Sequence, residues 1–280
     1  MVTAEMPKTI EEALEILSRQ KHTLFAGGTD LMVQRRSWAG LPRKFQLPIM
    51  FLNQIEGLSE IHDHDGYIKI GATCKLERIL EYPNTPRILK EIILEMASPA
   101  IRHQGTLAGN IANASPAGDS LVGLYLYDSQ VVLESLREER IVAIRDFITG
   151  PRKTILADDE MIVAIKVPKH DFQIEKYVKV GPRKSDAIAK VAFAGGIDIE
   201  EDVIKDIRLV FGAVYKTVLR SLEIEATLKG LQKKELKRCL DSILMSYRGL
   251  LSPIDDQRST SSYRLQVALN LLRGFIEDIE

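Results

Sequence analysis

Two glycine-containing segments constrain this chain most, because each turns the backbone sharply where a predicted strand ends. The first segment, which we call the first loop, is Ala26-Gly27-Gly28-Thr29-Asp30-Leu31. The second segment, which we call the second loop, is Gln104-Gly105-Thr106-Leu107-Ala108-Gly109-Asn110-Ile111-Ala112-Asn113. Small residues let several backbone N–H groups converge with no side chain between them, and such a concave turn binds anionic oxygens. One loop of this kind suggests a phosphate site, and two suggest a site for a pyrophosphate.

The first loop lies at a predicted junction between a strand and a helix. Residues 23–26 form an apolar run typical of a short strand, and residues 30–36 return to a helical pattern. Thr29 and Asp30 are expected to cap that helix, whose N-terminus would add to the attraction for phosphate. Taken alone, each loop is equally compatible with an ordinary glycine turn.

The second loop is followed by side chains that suit a sugar phosphate. Thr106 contributes a hydroxyl group, Asn110 an amide and Asp119 a carboxylate. A carboxylate only accepts hydrogen bonds, whereas both hydroxyls of a sugar diol donate them. The alternative role for Asp119 is a first-turn helix charge worth about 0.3–1 kcal/mol. Together, the two loops and the carboxylate predict a dinucleotide cofactor.

Few other residues carry recognisable chemistry. Lys179 begins a charged stretch from which a cation could reach a cofactor, although Arg183 and Lys184 also fit a solvated turn. The five histidines show no metal-ligand spacing, and no Ser-His-Asp or Cys-His arrangement is evident. We therefore predict no catalytic side chain and no metal site on this chain, and leave open whether His103 contacts a ligand.

Composition excludes several classes of function. The chain has 280 residues, of which 45% are hydrophobic and 28% charged, and its net charge of −1 gives no electrostatic footprint for nucleic acid. No apolar run is long enough to cross a bilayer, and the N-terminal residues lack a secretory pattern. We expect a cytoplasmic protein without nucleic-acid or membrane partners. Two cysteines cannot build an iron–sulfur cluster, and two buried free thiols are expected.

The periodicity of apolar residues predicts an α+β fold, and the pattern changes near residue 170, where we place a domain boundary. Thr9 and Glu12 form a capping box before an amphipathic helix. Residues 131–134 and 140–143 read as a hairpin, and residues 161–167 as an apolar strand closed by Pro168. Beyond the boundary, strands come first and helices follow, with helices predicted over 233–247 and 263–279.

Five motifs, in order along nearly the whole chain, are together similar to one known family. They are Ala26–Leu31, Gly105–Ile111, Ala114–Asp119, Tyr177–Ala189 and Ser261–Arg264. The chain resembles the FAD-binding (medium) subunit of the molybdenum hydroxylase family, of the xanthine dehydrogenase and carbon monoxide dehydrogenase type.

The resemblance implies a fold in two parts. Residues 1–170 would form a vanillyl-alcohol-oxidase-like (PCMH-type) α+β FAD-binding domain with subdomains at about 1–57 and 58–170. Residues 171–280 would form a smaller α+β domain of the CO dehydrogenase flavoprotein type, with a three-stranded sheet and helices.

The resemblance also implies roles for particular residues. The pyrophosphate of FAD would be held by the residues of the first loop and by part of the second, namely Ala26, Gly27, Gly28, Thr29, Asp30, Leu31, Thr106, Gly109 and Asn110. Asp119 would hold a ribose or ribityl hydroxyl, and Lys179 would approach the flavin end. Met161 and Ile162 would line the isoalloxazine ring.

The implied function is electron transfer within an oxidoreductase complex. A large partner subunit would carry the molybdenum cofactor, and a small one two 2Fe-2S clusters. Electrons would pass from these clusters through FAD to NAD+ or another acceptor, such as a quinone or oxygen. Two alternatives stay open: a stand-alone flavin-dependent oxidase or reductase of the same fold, and a non-catalytic assembly subunit.

Overall fold

The N-terminal part of the chain is a small parallel sheet with a helix packed against it. The computed structural model describes residues 3–42, 44–184 and 186–279. The elements of this part are β1 (Ala4–Glu5), α1 (Ile10–Arg19), β2 (Thr23–Phe25), α2 (Leu31–Gln34) and β3 (Ile49–Phe51). The strand order is β1-β3-β2, and both pairings are parallel.

Helix α1 begins where the sequence predicts. The hydroxyl oxygen of Thr9 accepts a hydrogen bond from the N–H of Glu12 at 3.1 Å, which confirms Thr9 as the N-cap. The return bond of the capping box is shifted, because the Glu12 carboxylate accepts from the N–H of Lys8 at 2.7 Å. Leu14 and Leu17 are buried in a core cluster that also contains Met50 of β3.

The middle of the chain adds a five-stranded antiparallel sheet in the order β4-β5-β10-β6-β7. Its first elements are β4 (Ile61–His64), β5 (Tyr67–Gly71), α3 (Leu76–Glu81), α4 (Arg87–Glu95), α5 (Pro99–Arg102), α6 (Leu107–Asn113) and α7 (Asp119–Leu126). The remaining ones are β6 (Gln130–Glu134), β7 (Glu139–Ala143), α8 (Ile144–Phe147), β8 (Ile148–Gly150), β9 (Lys153–Thr154) and β10 (Met161–Pro168). Pairing of β6 with β7 confirms the predicted hairpin.

The C-terminal part is an antiparallel sheet covered by helices. Its elements are β11 (Ile174–Val180), β12 (Val191–Glu200), β13 (Val203–Gly212), β14 (Leu219–Arg220), α9 (Leu222–Leu228), α10 (Lys233–Arg238), α11 (Leu240–Leu250) and α12 (Ser261–Glu277). Three long strands carry the sheet, and the two-residue β14 adds a short fourth strand at its edge. The predicted boundary near residue 170 falls between β10 and β11, and Ser185 of the matching motif lies outside the described residues.

Two local predictions differ from the structure near Cys239. The helix predicted over 233–247 is divided into α10 and α11, which meet at this residue. Cys239 is exposed, so the expectation of two buried thiols is wrong for it. Cys74 is buried as expected, and burial raises the pKa of its thiol to about 11.

Helix α7 joins the two large parts of the molecule. Residues 120–126 are all buried, and cations of the C-terminal part hold both ends of the helix. Lys179 pairs with Asp119 at the first turn, while Arg208 and Arg220 donate to the last carbonyls, those of residues 126 and 125, at 2.7 and 2.8 Å. The Asp119 carboxylate at the first turn and the two arginines at the last turn stabilise the helix through its dipole. Across the described ranges, no helix has the length and apolar character required to span a bilayer.

Candidate functional site

A cleft of about 370 Å³ lies where the first loop faces the second. Ten of the thirteen residues predicted for a cofactor site line it, and these are Ala26, Gly27, Gly28, Thr29, Asp30, Leu31, Thr106, Gly109, Asn110 and Ile162. The structure therefore brings together segments that are far apart in sequence. It does not place Asp119, Met161 or Lys179 on the cleft wall.

The glycines of the first loop are required by close contacts. A Cβ at Gly27 would lie 2.3 Å from the carbonyl oxygen of Gln104, well inside van der Waals contact. Gly28 has a φ of +72°, and a Cβ there would lie 2.1 Å from the ring of Phe25. Only glycine fits both positions, because the left-handed region and the missing space each exclude a side chain.

The first loop presents free backbone donors. In the described part of the chain, the N–H groups of Gly28, Thr29 and Asp30 donate to no acceptor. The helix behind them, α2, has four residues, so its dipole contributes little. The prediction that Asp30 caps this helix through its side chain is wrong, because its carboxylate instead accepts from the Gln34 amide at 3.1 Å. The N–H groups themselves are therefore the donors that this loop has available for an anion.

The second loop is built around a helix cap. Thr106 is the N-cap of α6, and its hydroxyl oxygen accepts from the N–H of Gly109 at 3.1 Å. This donor is therefore already satisfied within the loop. The side-chain oxygen of Asn110 accepts from the hydroxyl of Ser120 at 2.7 Å, which fixes the orientation of the Asn110 amide beside the cleft.

The two loops touch each other directly. The side-chain amide of Gln104 donates to the carbonyl oxygen of Gly27 at 3.0 Å. Lys75 donates to the backbone carbonyl of Gln104 at 3.1 Å, and burial lowers the pKa of this lysine. Sequence reasoning included Gln104 in the second loop without giving it a role, and it missed Lys75. Neither has a local sequence signal, because their role comes from the tertiary contact.

The rest of the cleft wall is apolar. It is formed mainly by seven side chains from both sheets and from the helices around them: Leu24, Leu52, Leu76, Met96, Ile101, Leu156 and Ile162. A flat apolar ring system fits such a wall better than a charged group does. Ala97 lies beside these residues with a φ of +51°, a conformation that alanine rarely adopts.

Asp119 and Lys179 form a buried ion pair behind the wall. The Lys179 Nζ and the Asp119 Oδ2 are 2.7 Å apart, and the side chains are 6% and 11% exposed. Burial raises the pKa of the Asp119 carboxyl, and the charge of Lys179 opposes part of this rise. The other carboxylate oxygen, Oδ1, is buried and has no partner in the described structure.

Met161 faces away from the cleft. Its side chain is fully buried in the cluster that contains Leu14 and Met50, whereas Ile162 belongs to the main core cluster and lines the cleft. Successive side chains of a strand point to opposite faces of the sheet, so only one of these two neighbours can reach the site.

One cluster outside the cleft has metal-ligating groups. Atoms of His170, Asp198 and Asp206 lie within 4.8 Å of one another. Two cations already contact Asp206, with Arg208 at 2.9 Å and Lys229 at 2.6 Å. These two cations already neutralise the Asp206 carboxylate, which a metal ion would need as a ligand.

The residues present fit a dinucleotide. The first loop offers three free N–H groups for phosphate oxygens, and the wall offers an apolar surface for a ring. Asp119 does not line the cleft, but its Oδ1 is a buried acceptor without a donor in the described structure, and its Oδ2 is paired with Lys179. A buried acceptor of this kind needs a hydrogen-bond donor, and a sugar hydroxyl has the required chemistry.

Comparison with known proteins identifies the family of this chain. The family described as the FAD binding domain in molybdopterin dehydrogenase matches residues 1–170, and the CO dehydrogenase flavoprotein C-terminal domain matches residues 176–279. A xanthine dehydrogenase FAD-binding subunit of Escherichia coli O157:H7 is 26% identical over 278 residues, covering 96% of this chain and 93% of the relative. A nicotinate dehydrogenase FAD-subunit of Eubacterium barkeri is 30% identical over 208 residues, covering 70% and 68%.

A solved structure supports the fold. Reconstituted CO dehydrogenase from Oligotropha carboxidovorans superposes with a TM-score of 0.88 at 23% identity, covering 99% of this chain and 96% of that chain. With the family match over residues 1–170, this likeness agrees with the expected fold class. The chain belongs to the family of FAD-binding medium subunits of the molybdenum hydroxylases.

Proposed function

We propose that the chain holds FAD in the cleft and transfers electrons within a molybdenum hydroxylase complex of the xanthine dehydrogenase type. The observation that carries this proposal is the direct contact between the two loops, which forms one continuous site from two distant segments. FAD supplies chemistry in which one or two electrons can be accepted and passed on. The protein binds and orients the cofactor.

The phosphates would be bound by the first loop. The N–H groups of Gly28, Thr29 and Asp30 are free to donate to phosphate oxygens, and Ala26, Gly27 and Leu31 shape the loop. From the second loop, the Thr106 hydroxyl and the Asn110 amide lie on the same cleft. Gly109 contributes by its lack of a side chain, since its N–H is already bonded to Thr106.

The isoalloxazine ring would pack on the apolar wall. Ile162 belongs to this wall, together with Met96 and Ile101. Asp119 would accept from a ribose or ribityl hydroxyl through its unpaired oxygen, with Lys179 holding the carboxylate in place. Met161 is left out of this assignment because its side chain is buried on the other side of the strand.

The relatives suggest which partners this chain has. These relatives are named as subunits or medium chains of xanthine, nicotinate and carbon monoxide dehydrogenases. We place the molybdenum cofactor on a large partner subunit and the 2Fe-2S clusters on a small one. The electron acceptor would be NAD+ or another oxidant, and the substrate would be selected by the large subunit.

One observation favours the subunit role over a stand-alone oxidase. Asp30 is the single titratable side chain on the cleft wall in the described part of the protein, and it is exposed and bonded to Gln34. An oxidase that abstracts a proton from substrate needs a positioned acid or base near the flavin. The cleft has no such group, whereas electron transfer requires none.

The test is purification of the full chain, tagged, from its own host, followed by metal analysis and rapid mixing. We expect co-purification with a molybdenum-containing subunit and an iron–sulfur subunit. In that complex, the substrate should reduce the flavin, and an acceptor should reoxidise it. A chain that purifies alone and is reduced by a substrate without partners would instead identify a stand-alone enzyme. A chain that purifies with partners but without FAD would identify an assembly subunit.

A further inference from the structure

Four consecutive carbonyl oxygens at the end of α4 are held by two buried cations. The Nη1 of Arg102 lies 3.3, 3.4 and 3.2 Å from the carbonyl oxygens of residues 94, 96 and 97. The Nζ of Lys179 lies 3.1 Å from the intervening carbonyl, that of Glu95. The last carbonyls of a helix lack partners within the helix, so these contacts satisfy groups that would otherwise need water.

Arg102 is itself fixed in place. Its Nε donates to the carboxylate of Glu77 in α3 at 2.8 Å, and its side chain is 9% exposed. A buried guanidinium is stabilised by a paired carboxylate and by hydrogen bonds, and here Glu77 pairs with Nε while the three carbonyls surround Nη1. Arg102 therefore links α3, α4 and α5 at one point.

The turn that Arg102 holds is part of the cleft. Met96 and Ala97 both line the wall, and so does Ile101, the residue before Arg102. Ala97 has the left-handed φ of +51° noted above, which costs an alanine about 1–2 kcal/mol. Such a conformation persists when surrounding contacts impose it, and the Arg102 contacts on both sides of Met96 are those contacts.

We propose that Arg102 is a positioning residue for the flavin, acting through the Met96–Ala97 turn. The inference rests on the proposed binding of FAD in this cleft. Ile162, which the resemblance places beside the isoalloxazine ring, lines the same apolar wall as Met96 and Ala97. Arg102 does not line the cleft. It acts by holding the turn that forms part of the wall where the ring would pack.

The test compares FAD with ADP as ligands of the purified full chain. Substituting Arg102→Met should raise the dissociation constant for FAD by about tenfold. The bound flavin should also absorb more like free FAD, because the wall no longer fixes its surroundings. Affinity for ADP, which lacks the flavin ring, should stay within about twofold of the wild type.

A matched control is Arg264→Met in the C-terminal part. Arg264 is also buried, pairs with Asp256 at 2.6 Å and donates to the Ala213 carbonyl at 3.4 Å. This variant should lower the melting temperature and leave FAD affinity unchanged. If Arg102 had a merely structural role, Arg102→Met would behave like Arg264→Met, with a lower melting temperature and unchanged FAD affinity.

A second variant keeps the buried arginine. Ala97→Val cannot adopt the left-handed φ of Ala97 without strain, so it should lose affinity for FAD as Arg102→Met does. Unchanged FAD affinity in Arg102→Met, or equal losses for FAD and ADP in this variant, would overturn the inference. Failure of the folded wild type to bind FAD would overturn the proposed function instead.

Discussion

The side-chain amide of Gln104 donates a hydrogen bond to the carbonyl oxygen of Gly27 at 3.0 Å, so the two loops hold each other in place. The backbone of Gln104 also passes beside Gly27, because a Cβ on Gly27 would lie only 2.3 Å from the Gln104 carbonyl oxygen. The shape of the proposed pyrophosphate site therefore depends on contacts between the loops as well as on the glycines in each.

Substituting Gly27→Ala tests this close approach. The added Cβ would lie 2.3 Å from the Gln104 carbonyl oxygen, so the loops must separate. We expect the free energy of unfolding to fall by about 1–3 kcal/mol and FAD affinity to fall by about tenfold or more. Calorimetric titration with FAD and denaturant unfolding measure the two effects.

Gly249→Ala is the control for this substitution. Gly249 lies within α11, and a Cβ there meets nothing within 4 Å. The variant should be more stable by about 0.5–1 kcal/mol and bind FAD normally. Equal FAD affinity in Gly27→Ala and Gly249→Ala would contradict the role given to the loop contact.

Gln104→Glu tests the hydrogen bond at nearly constant volume. A carboxylate would place an acceptor against the Gly27 carbonyl and a negative charge near the phosphates of FAD. FAD affinity should fall by about tenfold to a hundredfold, and the loss should shrink as salt is raised. Fluorescence titrations at low and high ionic strength check both points, and a salt-independent loss would argue against an electrostatic cause.

Lys179→Met tests the buried ion pair through its pH dependence. Without Lys179, the buried Asp119 carboxylate is unpaired, and stability at neutral pH should fall by about 3–5 kcal/mol. Burial already raises the folded-state pKa of Asp119 above its usual value of 3.8, and loss of Lys179 raises this pKa further. The folded variant then binds more protons than the unfolded chain, so its deficit should shrink as pH falls towards 3.8. Denaturant unfolding at several pH values measures the deficit, and one that grows on acidification would contradict this account.

Glu160→Gln tests acid stability with the opposite sign. Arg140 donates to both carboxylate oxygens of Glu160 at 2.7 Å and lowers its pKa below the usual 4.5. A lowered folded-state pKa gives stability that is present above pH 4.5 and is lost as pH falls through the folded value. At neutral pH the free energy of unfolding of the wild type should exceed that of Glu160→Gln by about 2 kcal/mol, and this difference should disappear in acid. The exposed Glu223→Gln, measured in parallel, should show no comparable gap.

Local sequence patterns predicted much of this fold because they depend on near neighbours. Thr9 begins α1 as its capping pattern indicates, and the β6–β7 hairpin pairs as its alternation indicates. The small residues of the two loops also indicate tight turns with accessible N–H groups, which is a local property of the sequence. Asp30 shows the limit of the same reasoning, since its carboxylate turned to Gln34 instead of capping the helix.

The remaining features of the site depend on tertiary contacts. Gln104 and Arg102 act on backbone carbonyls that come near only when the chain is folded, so no spacing in the sequence marks them. Met161 and Ile162 are adjacent, and strand alternation could have separated them, but it could not say which one faces the cleft. The roles of Asp119 and Lys179 toward a cofactor stay predictions.

Hydrogen exchange with and without FAD tests the central claim most directly. The N–H groups of Gly28, Thr29 and Asp30 donate to no acceptor in the described structure and should exchange rapidly in the flavin-free protein. Saturating FAD should slow exchange in the segment 26–31 and, in the same titration, in the segment 104–110. Slowing in only one segment, or in neither although FAD is bound, would contradict a single FAD site built from both loops.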